Sequence, residues 1–221
     1  DGVTVYVIDT GVNIDHDEFG DRAKWGKTVT PNDPDQDDDG HGTHCAGIIG
    51  SVRYGVSKKA NIVAVKVLHS NGSGTTEDVI SGVDYALKEH QAQAKAQGAN
   101  YKGSVAHLSL AGGKSHTLDN AVNEAVRSGL HIAVAAGNDG RDACDYSPAG
   151  ASEPITVGAS TLGDESAYFS NSGSCVDVFA PGLNIKSTWI GNKAAFNAMS
   201  GTSMASSHVA GLIAYFLSLL P

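Results

Sequence analysis

The sequence is short of positive charge and contains no long apolar run, and each shortage excludes a class of function. Lys and Arg together number 15, against 24 Asp and Glu, which leaves a net charge of −9. A chain this acidic is a poor partner for nucleic acid or for an anionic membrane surface, so we expect neither partner. No uninterrupted apolar stretch reaches the roughly 18 residues typical of a membrane-spanning helix, and residues 1–20 lack the pattern of a secretory signal peptide.

Cysteine is also scarce, whereas apolar residues are plentiful. The chain has three cysteines, an odd number, so they cannot all pair within one molecule. Of the 221 residues, 41% are hydrophobic and only 18% are charged, which is enough to build one substantial core. We therefore expect residues 1–221 to form a single domain.

Short apolar runs alternate with helical patterns along the chain. Two helical patterns with one apolar face begin at Thr75 or Thr76 and before Leu118, and their expected ends are near Gly98 and at Gly129. Strand–helix–strand alternation is typical of a parallel sheet covered on both faces. The sequence thus predicts an α/β fold, a three-layer sandwich with a central, mainly parallel sheet and helices on both faces. The predicted strands are residues 4–8, 62–67, 105–110, 130–135, 155–159 and 176–179.

Three short stretches carry residues suited to nucleophilic catalysis. Ser203 follows Gly201 just before an apolar run of helical period, so its hydroxyl would lie near unpaired N–H groups at a helix start. Asp9 ends a short apolar run that predicts a buried strand, and His41 opens a helix of small residues. An isolated Gly-Thr-Ser would more often only cap a helix. Together, however, these residues follow the order Asp, His, Ser, which is the order of the subtilisin triad.

The motifs around these residues resemble those of one family of serine proteases. VIDTGV, GHGTHCAG, AAGND and SGTSMA are similar, in this order, to the motifs of subtilases of the proteinase K subfamily. KVLHSNGSGT and DVFAPGLNI resemble the fungal vacuolar subtilases of the cerevisin type still more closely, and the resemblance covers essentially the whole chain. It implies a subtilisin-like fold and a serine endopeptidase that hydrolyses peptide bonds of proteins through an acyl-enzyme.

The resemblance assigns a role to each catalytic residue. His41 would take the proton of Ser203, and Asp9 would hold the imidazole in one tautomer. Asn138, which follows a predicted strand, would donate its side-chain N–H to the oxyanion together with the main-chain N–H of Ser203. Taken alone, Asn138 would more often be a turn residue before Asp139-Gly140.

The resemblance also indicates where a peptide substrate binds. It would lie extended between two edges, and small uncharged walls imply a broad, mainly apolar preference for the P1 side chain. Ala111 stands where relatives have glycine, so its methyl group would crowd the peptide or alter the backbone angles. Ser207 stands where close relatives have proline, so we expect the first helical turn after Ser203 to be tighter. The predicted substrate-binding residues are Ser109, Leu110, Ala111 and Gly112 on one wall, Ala135, Ala136 and Gly137 on the other, and Ser73 and Gly74 on the second edge.

Further expectations follow from the same resemblance. It implies protein and peptide substrates, the chain's own propeptide as inhibitor and folding aid, a monomer, and a vacuolar or secreted location. The chain would be a catalytic core trimmed at both ends from a longer precursor. Cys45 matches a free thiol of proteinase K-like relatives, which leaves Cys144 and Cys175 as a candidate disulfide.

Metal binding has two possible locations in the sequence. No cofactor is required, but a structural calcium ion of the relatives would match Asp177 and main-chain carbonyls near residues 152–154; the alternative is that Asp177 is a capping or hydrogen-bonded acid. The acidic run 33–40 departs from the EF-hand template at its sixth and twelfth positions, and we interpret it as a solvated acidic loop.

Two other functions stay open as alternatives. His41, His44 and the acids 37–39 would suit a metal-dependent hydrolase, although this hypothesis leaves Ser203 and Asn138 without a role. The chain could instead be a catalytically weak or incomplete subtilase known chiefly as a fungal allergen. A dinucleotide-binding fold is excluded, because the turn after the first predicted strand lacks the G-x-G-x-x-G pattern.

Overall fold

The computed structural model describes residues 2–220, and this part of the chain contains four α-helices and eleven strands. The helices are α1 (His41–Gly50), α2 (Thr76–Gln97), α3 (His116–Arg127) and α4 (Thr202–Leu219). The strands are β1 (Thr4–Asp9), β2 (Ala23–Thr28), β3 (Asn61–Lys66), β4 (Ser104–Leu108), β5 (Gly112–Gly113), β6 (His131–Ala135), β7 (Tyr146–Ser147), β8 (Ile155–Ser160), β9 (Val178–Pro181), β10 (Ile185–Thr188) and β11 (Phe196–Met199).

Seven of these strands form one sheet in the order β2-β3-β1-β4-β6-β8-β9. Every neighbouring pair in this sheet is parallel. Strand β1, near the middle, shows how the sequence builds the layers, because successive side chains point to opposite faces. Val5 and Val7 pack with α1 and α4 on one face, and Tyr6 and Ile8 pack with α2 and α3 on the other. The predicted α/β sandwich with helices on both faces is confirmed.

Two helix boundaries lie close to where the sequence predicts them. Thr75 precedes α2 and accepts a hydrogen bond from the main-chain N–H of Asp78, whose carboxylate accepts one from the N–H of Thr75. This reciprocal pair satisfies two N–H groups at the helix start. Helix α3 ends at Arg127, shortly before Gly129, whose φ of 99° is accessible to glycine without strain.

The six predicted strands are all present, with ends displaced by one or two residues. The prediction missed β2, an edge strand in which Lys24 and Lys27 interrupt the apolar pattern and a bulge lies between Trp25 and Lys27. It also missed two small antiparallel pairs, β10 with β11 and β5 with β7. Such short or edge strands carry too few buried residues to produce a clear period of two.

Helix α4 crosses the sheet on the same face as α1 and carries Ser203 in its first turn. It is continuous across Ser207, and the tighter first turn expected there stays a prediction. The structure also contains the disulfide between Cys144 and Cys175, while Cys45 is a buried free thiol. Among residues 2–220, no helix combines the length and apolar character needed to cross a bilayer.

Candidate active site

The site is centred on a short hydrogen bond between a buried acid and a histidine. Asp9, the last residue of β1, is fully buried, and its Oδ1 lies 2.7 Å from Nδ1 of His41, the first residue of α1. The main-chain N–H of Thr10 donates to the same oxygen at 2.7 Å. A carboxylate can only accept here, so Nδ1 carries the proton and Nε2 of a neutral His41 is left as a base.

The electrostatic surroundings of His41 favour its protonated form. Burial opposes a charge on the ring, but the charge and hydrogen bond of Asp9, with Asp39 and Asp37 behind it, outweigh burial and raise the pKa of His41. The side chain of His41 is only 21% exposed. The site therefore stabilises the imidazolium that forms when the base takes a proton.

Asp37 stabilises the start of α1 through its buried carboxylate. The interpretation of residues 33–40 as a solvated acidic loop is therefore wrong for this residue. Its carboxylate is buried and accepts hydrogen bonds from Thr10 Oγ1 (2.9 Å), the N–H of Gly40 (2.9 Å), and the N–H and hydroxyl of Thr43 (3.0 and 2.6 Å). The hydroxyl of Thr10 in turn accepts from the N–H of Gly42 at 3.0 Å. These bonds join the end of the strand that carries Asp9 to the helix that carries His41, while Asp38 stays exposed.

Ser203 lies at the same edge of the sheet as Asp9. Its hydroxyl, 3.4 Å from the main-chain oxygen of Ser109, is the donor of that hydrogen bond, and Ser203 is only 8% exposed. Ser109 follows β4, and the pairing of Ile8 with Leu108 puts it level with Asp9 at the carboxyl edge of the sheet. Parallel strands thus bring residues that are distant in sequence to one edge of the sheet, where the sites of open α/β sheets commonly lie.

The thiol of Cys45 contacts the side chain of Ser109. Cys45 lies one turn after His41 and donates to Ser109 Oγ at 3.5 Å. Burial raises the pKa of this thiol, so it stays protonated and acts as a small packed side chain. Cys45 thus links the helix that carries His41 to Ser109, whose main-chain oxygen accepts from Ser203.

Asn138 is hydrogen-bonded to Thr202, the residue before Ser203. Its Oδ1 accepts from both the N–H and the hydroxyl of Thr202, at 2.8 and 3.0 Å. Thr202 Oγ1 also accepts from the N–H of Gly137 at 3.1 Å. Because Oδ1 is occupied, the Nδ2 amide group is the part of Asn138 left to donate at the exposed surface beside Ser203.

The predicted substrate-binding residues fall into two neighbouring places. A depression of about 230 Å³ is lined by Ser73 and Gly74 together with Leu110, Ala111 and Gly112. Residues 135–137 continue β6 into the site, and a Cβ atom built on Gly137 would lie 3.9 Å from Cβ of Ala111, so the two predicted walls adjoin. Ser109 itself is buried beneath Ser203.

Ala111 does not have a positive φ. Among the described residues, the non-glycine residues with positive φ are Asn32, Asp164 and Asn184. Ala111 is therefore outside the left-handed region that favours glycine, and its exposed methyl group is what distinguishes it from the glycine of relatives.

The acids and histidines of the metal-hydrolase hypothesis do not form one cluster of metal ligands among the described residues. His44 is fully buried and its Nε2 donates to the main-chain oxygens of Ile185 and Asn197, at 3.1 and 3.2 Å. Burial lowers its pKa to about 4. Within residues 2–220, the cluster of His, Cys, Asp and Glu ligand atoms close enough to share a metal ion is Asp9, His41 and Cys45, without His44. His44 instead ties α1 to the β10–β11 pair.

Asp177 lies apart from this site. Its Oδ2 accepts from the N–H of Thr156 at 2.8 Å, which agrees with the alternative of a hydrogen-bonded acid. Asp177 nevertheless lines one depression, of about 460 Å³, with Ser152, Glu153 and Pro154. The Asp177 carboxylate therefore lies near the segment whose carbonyls the resemblance implicates in calcium binding, whereas most other residues that line this depression are apolar.

Thr10, Asp37 and Thr202 shape the site through their hydrogen bonds, a role that the sequence did not predict for them. Each is a threonine or aspartate just before or at a helix start, or at the end of a strand. Side chains of this type at such positions commonly satisfy free N–H groups. That preference was the available signal.

Comparison with known proteins agrees with this geometry. The model of the Subtilase family matches residues 1–221. Cerevisin of Saccharomyces cerevisiae is 65% identical over 220 residues, covering 100% of this chain and 35% of cerevisin, and "Alkaline protease 2" of Aspergillus fumigatus is 62% identical over 225 residues, covering 100% and 46%. The chain thus spans less than half the length of these two curated relatives.

One further curated relative and one solved structure indicate the same family. "Subtilisin-like serine protease Pen c 2" of Penicillium citrinum is 61% identical over 225 residues, covering the whole chain and 49% of that protein. A crystal structure of a cold-adapted subtilisin-like serine proteinase superposes with a TM-score of 0.89 at 50% identity, over 98% of this chain and 76% of the other. The arrangement of Asp9, His41 and Ser203 and these matches lead to one conclusion: the chain belongs to the subtilase family.

Proposed function

We propose that this chain is the catalytic domain of a serine endopeptidase with Asp9, His41 and Ser203 as its triad. The observation that carries the proposal is the 2.7 Å bond from His41 Nδ1 to the buried Asp9, at the sheet edge where Ser203 begins α4. This bond leaves Nε2 as the free base. It also orients the ring as nucleophilic catalysis by serine requires.

The chemistry follows from these positions. His41 Nε2 takes the hydroxyl proton as Ser203 Oγ attacks the carbonyl carbon, and the carbonyl oxygen becomes negative. The main-chain N–H of Ser203 and Nδ2 of Asn138 donate to that oxygen. When the intermediate collapses, His41 gives its proton to the leaving amine, and Ser203 is left acylated. Water then attacks the acyl group with His41 again as base, which regenerates the serine.

The substrate would bind as an extended strand between the segment at Ser73-Gly74 and that at Leu110–Gly112. Both segments line one depression, which supports this assignment. Small walls at Ala135, Ala136 and Gly137 favour a broad, mainly apolar P1 preference. We further propose protein and peptide substrates, inhibition by the chain's own propeptide, a monomeric state and a vacuolar or secreted location.

Covalent labelling tests the proposal directly. Phenylmethylsulfonyl fluoride should sulfonylate Ser203 Oγ with loss of fluoride, found as one mass increase on the peptide that contains Ser203. The Ser203→Ala variant should not react, whereas Ser218→Ala, a serine near the other end of α4, should react like the parent. A chelator should leave both labelling and peptidase activity unchanged.

Each alternative outcome identifies another function. Activity that resists the sulfonyl fluoride but disappears with a chelator would favour the metal-dependent hydrolase. A folded parent chain that neither reacts nor cleaves peptides would favour the catalytically incomplete subtilase.

We also propose a structural calcium ion at Asp177, supported by the depression that this carboxylate shares with Ser152, Glu153 and Pro154. Calcium would bridge two surface segments and stabilise only the folded chain. The thermal midpoint should rise in millimolar calcium for the parent and stay constant for Asp177→Asn. A parent midpoint insensitive to calcium would refute the site.

A further inference from the structure

A buried imidazole that the proposed mechanism does not use lies directly behind the nucleophile. His107 is fully buried in β4, on the face covered by α1 and α4. Its Nε2 lies 2.9 Å from Ser206 Oγ and 3.3 Å from Ser207 Oγ, both in the first turns of α4. A histidine inside a core needs a reason, since burying a polar group is costly unless it is hydrogen-bonded.

Both serine hydroxyls lie within hydrogen-bond distance of the main-chain carbonyl group of Ser203. Ser206 Oγ lies 3.1 Å from the main-chain oxygen of Ser203, and Ser207 Oγ lies 2.8 Å from it. That oxygen can act only as an acceptor, and each hydroxyl has a single proton to give. Each hydroxyl can therefore give its proton to this oxygen or to Nε2 of His107, and the tautomer of the ring decides which.

The surroundings of Nδ1 indicate the tautomer of His107. A proton on Nδ1 would be a buried donor without an acceptor, so the neutral ring carries its proton on Nε2, and both serine hydroxyls accept from it and donate to the Ser203 oxygen. Nδ1 is buried and has no hydrogen-bond partner among the described residues, as expected for a bare nitrogen in this tautomer. A charged ring would add an N–H at Nδ1 with nothing to accept it.

The groups facing His107 keep it neutral. Burial lowers its pKa to about 4; the negative Asp9 on β1 acts in the opposite direction, and His41 on α1 acts in the same direction as burial. The main-chain oxygen of Ser203 on α4 is the remaining polar group that influences the ring. In the pH range where His41 is a base, His107 is thus a fixed neutral donor.

We propose that His107 is a positioning residue for Ser203. Its Nε2–H holds the hydroxyls of Ser206 and Ser207 in the orientation in which both donate to the Ser203 carbonyl, and this fixes the backbone from which the nucleophile projects. The inference rests on the proposed function, because it assumes that Ser203 attacks the substrate. It goes beyond that function by assigning a task to three buried side chains that touch neither substrate nor reacting atoms.

The proposal requires an effect on turnover rather than on substrate binding. A nucleophile displaced by about 1 Å can lose on the order of 10²-fold in rate. His107 lies below Ser203 and does not line the depression at Leu110–Gly112. Removing its donor should therefore lower kcat and leave KM nearly unchanged.

The experiment compares His107→Leu with His107→Gln on a chromogenic peptide. Leucine fills the space without a donor, and we expect kcat to fall about tenfold or more with KM within about twofold. Glutamine can place an amide N–H near the position of Nε2, so it should recover most of the lost kcat. The matched control is His90→Leu, a substitution at a buried histidine of α2 whose Nδ1 lies 2.8 Å from Ser104 Oγ. It should lower thermal stability but not kcat.

A second variant covers the case in which His107→Leu does not fold. The Ser206→Ala/Ser207→Ala double variant removes the two hydroxyls without touching the ring, and it should show the same loss of kcat. Adding His107→Leu to it should cause no further loss, since the three side chains act as one unit.

The outcomes separate this inference from the proposed function. Sulfonyl fluoride labelling of the parent at Ser203 establishes the nucleophile independently of turnover. If the parent is labelled but His107→Leu keeps full kcat, or His90→Leu loses as much, or glutamine restores nothing, the positioning role is wrong. If the parent is not labelled at all, the proposed function itself has failed.

Discussion

The two helices that carry the proposed base and nucleophile begin in opposite electrostatic surroundings. The start of α1 is bound by carboxylates, since Asp37 accepts from Gly40 and Thr43 and Asp39 accepts from the N–H of His41 at 3.0 Å. The start of α4 has no acid in its first turn and is held by neutral groups, among them the Asn138 amide that binds Thr202.

This difference matches the charges that the proposed reaction would create. His41 becomes positive in the transition state, and nearby carboxylates stabilise a positive charge. The carbonyl oxygen beside Ser203 becomes negative, and a helix start without acids leaves its N–H groups and dipole to stabilise it. Each helix start is therefore suited to one sign of charge, and the predictions below test the two separately.

The largest effect should come from removing the groups that carry the charge or the attacking atom. Ser203→Ala, His41→Ala and Asp9→Asn should each lower kcat by roughly 10⁴-fold or more, because each breaks the same proton transfer. The Ser203/His41 double variant should be scarcely worse than either single variant. Steady-state kinetics on a peptide ester measure this, and losses that multiply would show that the residues do not act as a unit.

The neutral side of the comparison is tested at Asn138. Asn138→Ala removes the proposed oxyanion donor and should lower kcat by roughly 10²–10³-fold, a magnitude measured in subtilisin itself. Since Asn138 also holds Thr202, Thr202→Val serves as the control that loses only the hydroxyl contacts. If Thr202→Val lost as much kcat as Asn138→Ala, the asparagine would be acting through the backbone of α4 and not as an oxyanion donor.

The acidic side is tested at Asp37. Asp37→Ala leaves the hydroxyls and N–H groups of Thr10, Gly40 and Thr43 without their acceptor, and it should lower the free energy of unfolding by about 3 kcal/mol. Asp38→Ala, an exposed neighbour, should stay within about 0.5 kcal/mol of the parent. Urea unfolding followed by circular dichroism makes the measurement. Equal effects of the two substitutions would mean that the buried hydrogen bonds of Asp37 do not stabilise the start of α1.

These two helix starts also show how far the sequence could predict the structure. The strand end at Asp9 and the helix starts near His41 and Ser203 depend on local patterns, and all three are found where predicted. Asp37 could not be distinguished from its acidic neighbours, because its burial depends on Thr10, 27 residues away along the chain. His107 was likewise assigned no role, since its partners Ser206 and Ser207 are 99 and 100 residues distant. Contacts of this separation are properties of the assembled sheet and leave no periodic signal.

The smallest expected effect concerns the pH dependence of His41. Its pKa is raised, so its neutral form is lost at a higher pH than for an ordinary histidine, and kcat/KM should fall as the pH drops through that raised value. Asp39 contributes to the rise. Asp39→Asn keeps an oxygen for the N–H of His41 but removes a negative charge, so the acid limb should move to lower pH by roughly a few tenths of a unit. Asp38→Asn makes the same change in net charge at an exposed neighbour that has no part in the shift, and it should leave the limb in place. The pH profile of kcat/KM in all three proteins, at constant ionic strength, decides the matter. Because a carboxylate near the ring can only favour its protonated form, a limb that moved to higher pH in Asp39→Asn would contradict an electrostatic role for the acids around α1.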